Sequence, residues 1–215
     1  MPVYTLVIGN KNYSSWSLRP WLVLRHFEIP FTEQMIPLFE PGYDALIRAV
    51  SPSGKVPLLI DGDVRVWDSL AICEYLAERH PQLWPRDPVA RAFARSVTAE
   101  MHSGFMALRM NFQCNVRRRT SREASADVQA DIDRIAQLWT ECRARFGQEG
   151  PYLFGAFSIA DAFYAPVCFR LQTYGVQLSG PAGVYLATML ATPALQELAR
   201  DAAAEPHAIA KYEVA

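Results

Sequence analysis

"VPLLIDGDVRVWDSLAICEYLAERH" (residues 56–80) changes period halfway along, and the change decides the fold. An apolar run, the triplet Asp61-Gly62-Asp63 and a second, alternating run read as a β-hairpin. From Asp68 the apolar set Leu70, Ile72, Cys73 and Leu76 takes helical spacing instead. Upstream, "VYTLVIG" (3–9) is β-branched and apolar, the pattern of a buried strand, and "LRPWLVLRHF" (18–27) is helical. "IPFTEQMIPL" (29–38) reads as a second strand bracketed by Pro30 and Pro37, and "GYDALIRAV" (42–50) as a short helix. The order is β-α-β-α-β-β-α. A βαβ unit followed by a hairpin and a helix implies a mixed four-stranded sheet with helices on both faces.

"HPQLWPRDP" (80–88) places three prolines within a short span and reads as a linker over 81–88. Beyond it strand signals fade, and 89–114, about 122–146, 158–174, 182–191 and 193–204 read as helices. The expected organisation is an α/β domain over 1–80 and an all-α domain over 89–215. "SIAD" (158–161) is a capping-box pattern, with Phe157 placed for a hydrophobic staple. Pro166 falls inside that helix and predicts a kink or a shorter helix.

The chain has 215 residues, half of them hydrophobic, and a formal net charge of −1. No overall field attracts nucleic acid or anionic lipid. The N-terminus lacks the basic flank and apolar run of a signal peptide, and no stretch has the length of a membrane helix, so the cytoplasm is the expected location. Cys73, Cys114, Cys142 and Cys168 form no CxxC, the histidines are scattered, and no metal site is expected. "SGK" (53–55) ends like a phosphate loop, but Ala49 and Val56 stand where glycine and Ser/Thr are required.

In an open sheet, ligands gather at the carboxyl ends of the strands. That edge collects Tyr13-Ser14-Ser15-Trp16-Ser17, then Gly54-Lys55-Val56-Pro57, then Asp68-Ser69. A helix N-terminus at Asp68-Ser69 could hold a carboxylate through N–H groups and the Ser69 hydroxyl, with Asp68 accepting from an ammonium group. An ordinary N-cap is the alternative reading of the same pair. A serine hydroxyl near a helix N-terminus can also stabilise a bound thiolate, since one charge-assisted hydrogen bond contributes about 1.5–3 kcal/mol. Pro20 fits a first helical turn, so Ser17 is expected as the N-cap, with Ser14 and Ser15 free to face a ligand.

These residues resemble those of the cytosolic glutathione S-transferases over essentially the whole chain. "SSWSLR" (14–19) is similar to the SSCxxR signature of the zeta class, the maleylacetoacetate isomerases. "KVPLL" (55–59) resembles the cis-proline strand of their thioredoxin-like domain, "WDSLAICEYLAE" (67–78) its last helix, and "FSIADAFYAP" (157–166) the capping box of the helical domain. The resemblance implies glutathione as co-substrate with no metal. It also implies a cis Val56–Pro57 bond with the Val56 backbone on the cysteinyl part, and Asp68 and Ser69 on the γ-glutamyl end. Ser14 matches the thiolate-orienting serine, with Ser15 beside it. Lys55 is a further candidate for an anionic ligand, with a solvated surface lysine as the alternative. Two positions depart from the pattern: Trp16 replaces the zeta-type cysteine, and "LFEPGYDAL" (38–46) lacks the usual Gln, His or Lys for the glycyl carboxylate.

The implied second-substrate pocket lies between the domains, against the first helix of the helical half. Trp16, Met101, Phe105 and Arg109 are its candidates, although Met101, Phe105, Leu108 and Phe112 also form a stripe with the spacing of a core face. The arginines of "VRRRTSRE" (116–123) read as a solvated face or a cleft mouth. The expected activity is transfer of the glutathione thiolate to a hydrophobic or electrophilic small molecule. Glutathione-dependent isomerase or peroxidase chemistry is one alternative, and a non-catalytic ligand-binding or protein-interaction role is another. A homodimer is implied by the resemblance alone.

Overall fold

The computed structural model describes residues 4–213, so Val3, at the start of the expected first strand, and the last two residues of the chain lie outside it. Strand β1 (Tyr4–Ile8) leads into helix α1 (Ser15–His26), strand β2 (Phe31–Met35) and helix α2 (Tyr43–Val50). Strands β3 (Leu58–Asp61) and β4 (Val64–Trp67) then precede helix α3 (Ser69–Arg79). The sheet order is β2-β1-β3-β4, with β1 parallel to β2 and antiparallel to β3, and β3 antiparallel to β4. Side chains alternate faces along a strand. Leu6 and Ile8 of β1 therefore join the core under α1 and α3, while Val7 packs with Ile36, Ile47 and Leu58 beneath α2. The hairpin turns at Gly62-Asp63 with Gly62 at φ +58°, the left-handed first position that favours glycine.

A short 3₁₀ turn (Pro81–Leu83) leads into the helical half: α4 (Pro88–Ser103), α5 (Met106–Asn111), α6 (Ala126–Phe146), α7 (Ile159–Thr173), α8 (Gly180–Ala191), α9 (Pro193–Ala204) and α10 (Ala210–Glu213). Helix α7 is buried along nearly its whole length and packs on both α1 and α4. Asp161 anchors its start: the carboxylate accepts from the backbone N–H groups of Ser158 (2.8 Å) and Leu153 (3.0 Å), and from Tyr185 Oη (3.0 Å). All four cysteines are buried and free.

Two expectations are corrected and a third is narrowed. Helix α1 begins at Ser15 with Ser14, not Ser17, at the N-cap, because the N–H groups of Ser17 and Leu18 both reach the Ser14 carbonyl (2.9 and 3.2 Å). Pro20 therefore sits inside the helix, and the Ser17 hydroxyl instead accepts from the Gly9 N–H at 3.1 Å. The single helix over 89–114 is two helices, broken where Phe105 takes φ +60°. Arg109 caps the broken end by donating to the carbonyls of Gly104, Met101 and His102, and Asp131 of α6 accepts from the Leu108 N–H (2.9 Å) in the first turn of α5. Of the two outcomes expected at Pro166, a kink or a shorter helix, the shorter helix is excluded, because α7 runs through Pro166 to Thr173.

Candidate functional site

Two adjoining cavities open where the loops at the carboxyl edge of the sheet meet the helical half. The larger, of about 910 Å³, is lined by Ser14, Ser15 and Trp16 from the start of α1, by Lys55 and Val56, and across the cleft by Arg109 and Arg170. The smaller, of about 450 Å³, is lined by Lys55, Val56, Pro57, Asp68 and Ser69, with Trp16 again forming a wall. The fold thus gathers Ser14, Ser15, Trp16, Lys55, Val56, Pro57, Asp68, Ser69 and Arg109 from four separate segments. Met101 and Phe105 do not join them. Both are buried in the core, and the pocket candidates at these two positions are corrected in favour of Met106 and Met110, which line the larger cavity. The helix break explains the change: α5 turns a different face to the cleft than one continuous helix would.

The Val56–Pro57 peptide is cis, and the Val56 backbone makes no hydrogen bond among the described residues. Asp68 caps α3, its Oδ1 accepting from the Leu70 N–H at 2.8 Å. Its φ of +73° is a left-handed conformation that costs a non-glycine residue about 1–3 kcal/mol, the kind of strain that collects at ligand sites. Asp68 Oδ2 also faces His102 Nε2 at 3.4 Å, and buried Ser69, the first residue of α3, accepts from Arg19 at 3.4 Å.

Positive charge dominates the lining of the larger cavity, with Lys55, Arg109, Arg170 and Lys211 against Asp44, and Arg19 lies behind Trp16. Arg19 is buried, stacks on Trp16 (4.1 Å) and Phe163 (4.6 Å), and its Nε has no partner among the described residues. Its Nη1 lies 3.3 Å from His102 Nδ1. Burial, reinforced by Arg109 and Arg170, lowers the Arg19 pKa to about 9. Arg109 is likewise lowered to about 10, by burial and then by Arg170. Arg170, also buried, is pushed down by desolvation. It donates to the Phe112 carbonyl and, at 3.3 Å, to Ser15 Oγ. Among the described residues none of the three guanidinium groups forms a salt bridge.

Sequence reading passed over Arg19 and Arg170 as site residues; His102, with Glu100, Ser103 and Arg109, reads from the sequence only as a polar position beside the 89–114 stripe that could reach the cleft, and it does line the larger cavity. Arg19 carried a signal, since it closes the "SSWSLR" stretch. Arg170 carried none, because α7 is apolar on all sides and its pattern does not say which residue meets α1. The arginines of 116–123 do not line the larger cavity; Arg117 instead holds Tyr13 Oη (3.0 Å) and Glu213 (3.1 Å). The Tyr13 hydroxyl is thereby committed, donating to Glu213.

Residues 13–79 match the family of glutathione S-transferase N-terminal domains, and residues 123–200 that of the C-terminal domains. A probable maleylacetoacetate isomerase of Caenorhabditis elegans is 35% identical over 170 residues, 77% of this chain and 77% of its own. A stringent starvation protein A homolog of Pasteurella multocida is 30% identical over 139 residues, 62% of this chain and 60% of its own. A glutathione transferase homolog from Burkholderia, crystallised with bound glutathione, superposes with a TM-score of 0.70 at 22% identity, covering 95% of this chain and all of its own. The chain belongs to the glutathione S-transferase family. Among the described residues, no group of three or more His, Cys, Asp or Glu is placed to hold a metal ion, and no helix is long and apolar enough to cross a membrane.

Proposed function

We propose that the protein is a glutathione transferase that holds the tripeptide across the two cavities and presents its thiolate at the serine pair that begins α1. Asp68 and Ser69 at the N-terminus of α3 take the ammonium and carboxylate of the γ-glutamyl end. The unpaired Val56 backbone takes the cysteinyl amide, and Lys55 stands between the cavities as a cation for an anionic group. Ser14 and Ser15 face the thiolate. The sulfur attacks an electrophilic carbon, forming a C–S bond and expelling a leaving group with its bonding pair. Holding both reactants together supplies the proximity term. Trp16, Arg109, Met106 and Met110 wall the acceptor. The chain divides at the 81–88 linker into a glutathione-binding unit (1–80) and a helical unit (89–215), acts in the cytoplasm and forms a homodimer.

The observation that carries this reading is the pair of adjoining cavities, the larger lined by both serines at the start of α1 together with Arg109 and buried Arg170, which have no counter-ion among the described residues, and the smaller by Asp68 and Ser69 at the start of α3. A buried cation left without a carboxylate is costly, and a bound anion relieves it. Calorimetric titration with glutathione, followed by thiolate absorbance against pH, tests it: the wild type binds, and the bound thiol ionises below its free pKa. Absence of binding would overturn the reading. A second reading, glutathione-dependent isomerisation, draws support from the similarity to the nematode protein. Trp16 in place of the class's cysteine weighs against it, and turnover of maleylacetone against a panel of alkylating electrophiles and peroxides separates the chemistries. A protein that binds glutathione but turns over no substrate would instead be a ligand-binding or interaction member of the fold.

A further inference from the structure

The two serines at the cavity are held in different ways, and the difference assigns their roles. Ser14 Oγ lies 2.7 Å from Ser17 Oγ, and either can donate to the other. Ser17 in turn accepts from a neutral backbone N–H, that of Gly9, at 3.1 Å. The Ser14 proton is therefore free only in one of two orientations, backed by neutral donors throughout. Ser15 has no such ambiguity. Its partner is Arg170 at 3.3 Å, and a guanidinium has no acceptor, so Ser15 Oγ must accept. Its single hydrogen has no acceptor among the described residues and is available to the cavity that both residues line. Arg170 is only 6% exposed and has no carboxylate partner among the described residues, so its charge is not spent on one of them. The other charged or titratable side chains of the cavity include Asp44, Lys55, His102, Arg109, Cys114 and Lys211, and none of these bonds either serine.

We propose that Ser15, rather than Ser14, donates the hydrogen bond that holds the glutathione thiolate, and that Arg170 of α7 is a positioning residue that orients and polarises Ser15. This rests on the glutathione reading above. Arg170 reaches from the helical half to fill the acceptor lone pair of Ser15, which fixes the hydroxyl and makes it a stronger donor. The thiolate supplies the negative charge that Arg170 lacks among the described residues. No covalent step at the protein is involved; the thiol proton leaves to solvent and the thiolate remains.

The test follows the bound thiol by its ultraviolet absorbance against pH in the wild type and in Ser14→Ala, Ser15→Ala, Arg170→Met and Arg170→Lys, with glutathione affinity measured separately by calorimetry. Ser15→Ala and Arg170→Met are each expected to raise the bound-thiol pKa by about one unit, a roughly tenfold loss of thiolate near neutral pH. The kcat/KM for an electrophile should fall by a similar factor and recover at alkaline pH, which a folding defect would not do. Arg170→Lys keeps the charge and should shift less than Arg170→Met, and the Ser15→Ala/Arg170→Met pair should shift no further than either alone. Ser14→Ala should move the pKa least. A shift in Ser14→Ala with none in Ser15→Ala would overturn the proposal, and that comparison stands even if the Arg170 variants fail to fold. A folded Arg170→Met with unchanged bound-thiol pKa would remove Arg170 from the mechanism. Failure of the wild type to bind glutathione would instead overturn the functional reading beneath it.

Discussion

Trp16 sits at 37% exposure with two guanidinium groups over its ring, Arg19 at 4.1 Å and Arg109 at 4.9 Å, and with His102 edge-on at 5.3 Å. Each cation–π contact contributes about 0.5–2 kcal/mol, more as the cation is desolvated. Trp16→Ala is expected to destabilise the protein by about 1–3 kcal/mol and lower Tm by several degrees, read by calorimetry; an unchanged Tm would show the stack to be idle. His102 belongs to the same cluster. Its Nδ1 accepts from Arg19, so that nitrogen is unprotonated, and burial lowers its pKa with Arg19 and Arg109 adding to the effect against Asp68. A base held below its unfolded value stabilises the fold fully above about pH 6.5, and that contribution is lost as pH falls through the lowered native value. Urea midpoints should therefore drop between about pH 7.5 and about pH 5, and His102→Gln should flatten the drop. The serines, Trp16 and Asp68-Ser69 were legible in the sequence because each lies in a short local motif. Arg170 was not, and His102 stood out only as one of several polar positions beside a helical stripe, because a helical pattern records which residues are apolar and not which single polar one meets another element across the cleft.

At the scale of elements, the most instructive miss is the junction of α4 and α5. Met101, Phe105, Leu108 and Phe112 keep helical spacing across the break, so periodicity alone argues for continuity. The break is written in three-dimensional contacts instead. Phe105 in a left-handed conformation costs about 1–3 kcal/mol, and burial of its ring at 7% exposure helps to offset that strain. Arg109 satisfies the carbonyls at the end of α4, while Asp131, from a different helix, stands in for the N-cap side chain that α5 lacks. Asp131→Ala should cost about 1 kcal/mol, typical of a lost cap, and should raise amide exchange in α5 more than in α4 or α7. Uniform exchange across the three helices would mean that the cap does not hold α5. The break also moves Met106 and Met110 to the cavity wall, so the lining of the larger cavity depended on a feature the sequence pattern concealed. By contrast, the hairpin, α3 and the Asp161 box appeared where expected, since each is fixed by interactions within a few residues of itself.

For the whole molecule, the chain closes on itself at the candidate site. Residues beyond α9 carry little periodic signal, and α10 spans only four residues, too short to hold a helix unaided. Contacts with the loop before the serines hold it. Glu205 accepts from the N–H groups of Lys11 (2.6 Å) and Asn12 (3.2 Å), Asn115 donates to the Tyr212 carbonyl (3.1 Å), and the Ile209 N–H donates to Tyr13 Oη (3.3 Å). Tyr13 donates to Glu213, which Arg117 also holds at 3.1 Å, and Lys211 lies 3.5 Å over the Phe39 ring. Lys211 and Tyr212 then line the larger cavity. The Arg117–Glu213 pair is partly exposed and contributes about 0–1 kcal/mol at most, so the strap depends on several weak contacts that converge on Tyr13. Ending the chain after Glu205 keeps its contacts with Lys11 and Asn12 but removes the part of the cavity wall that Lys211 and Tyr212 form. The truncated protein should retain most of its thermal stability, because the core above α9 is untouched, while KM for glutathione or for the acceptor rises several-fold. Tyr13→Phe should move KM in the same direction by a smaller factor and speed proteolysis at the C-terminus, since it releases the strap without deleting it. A truncation that lowers Tm sharply and leaves KM unchanged would show the segment to be a structural clasp, with no part in closing the site.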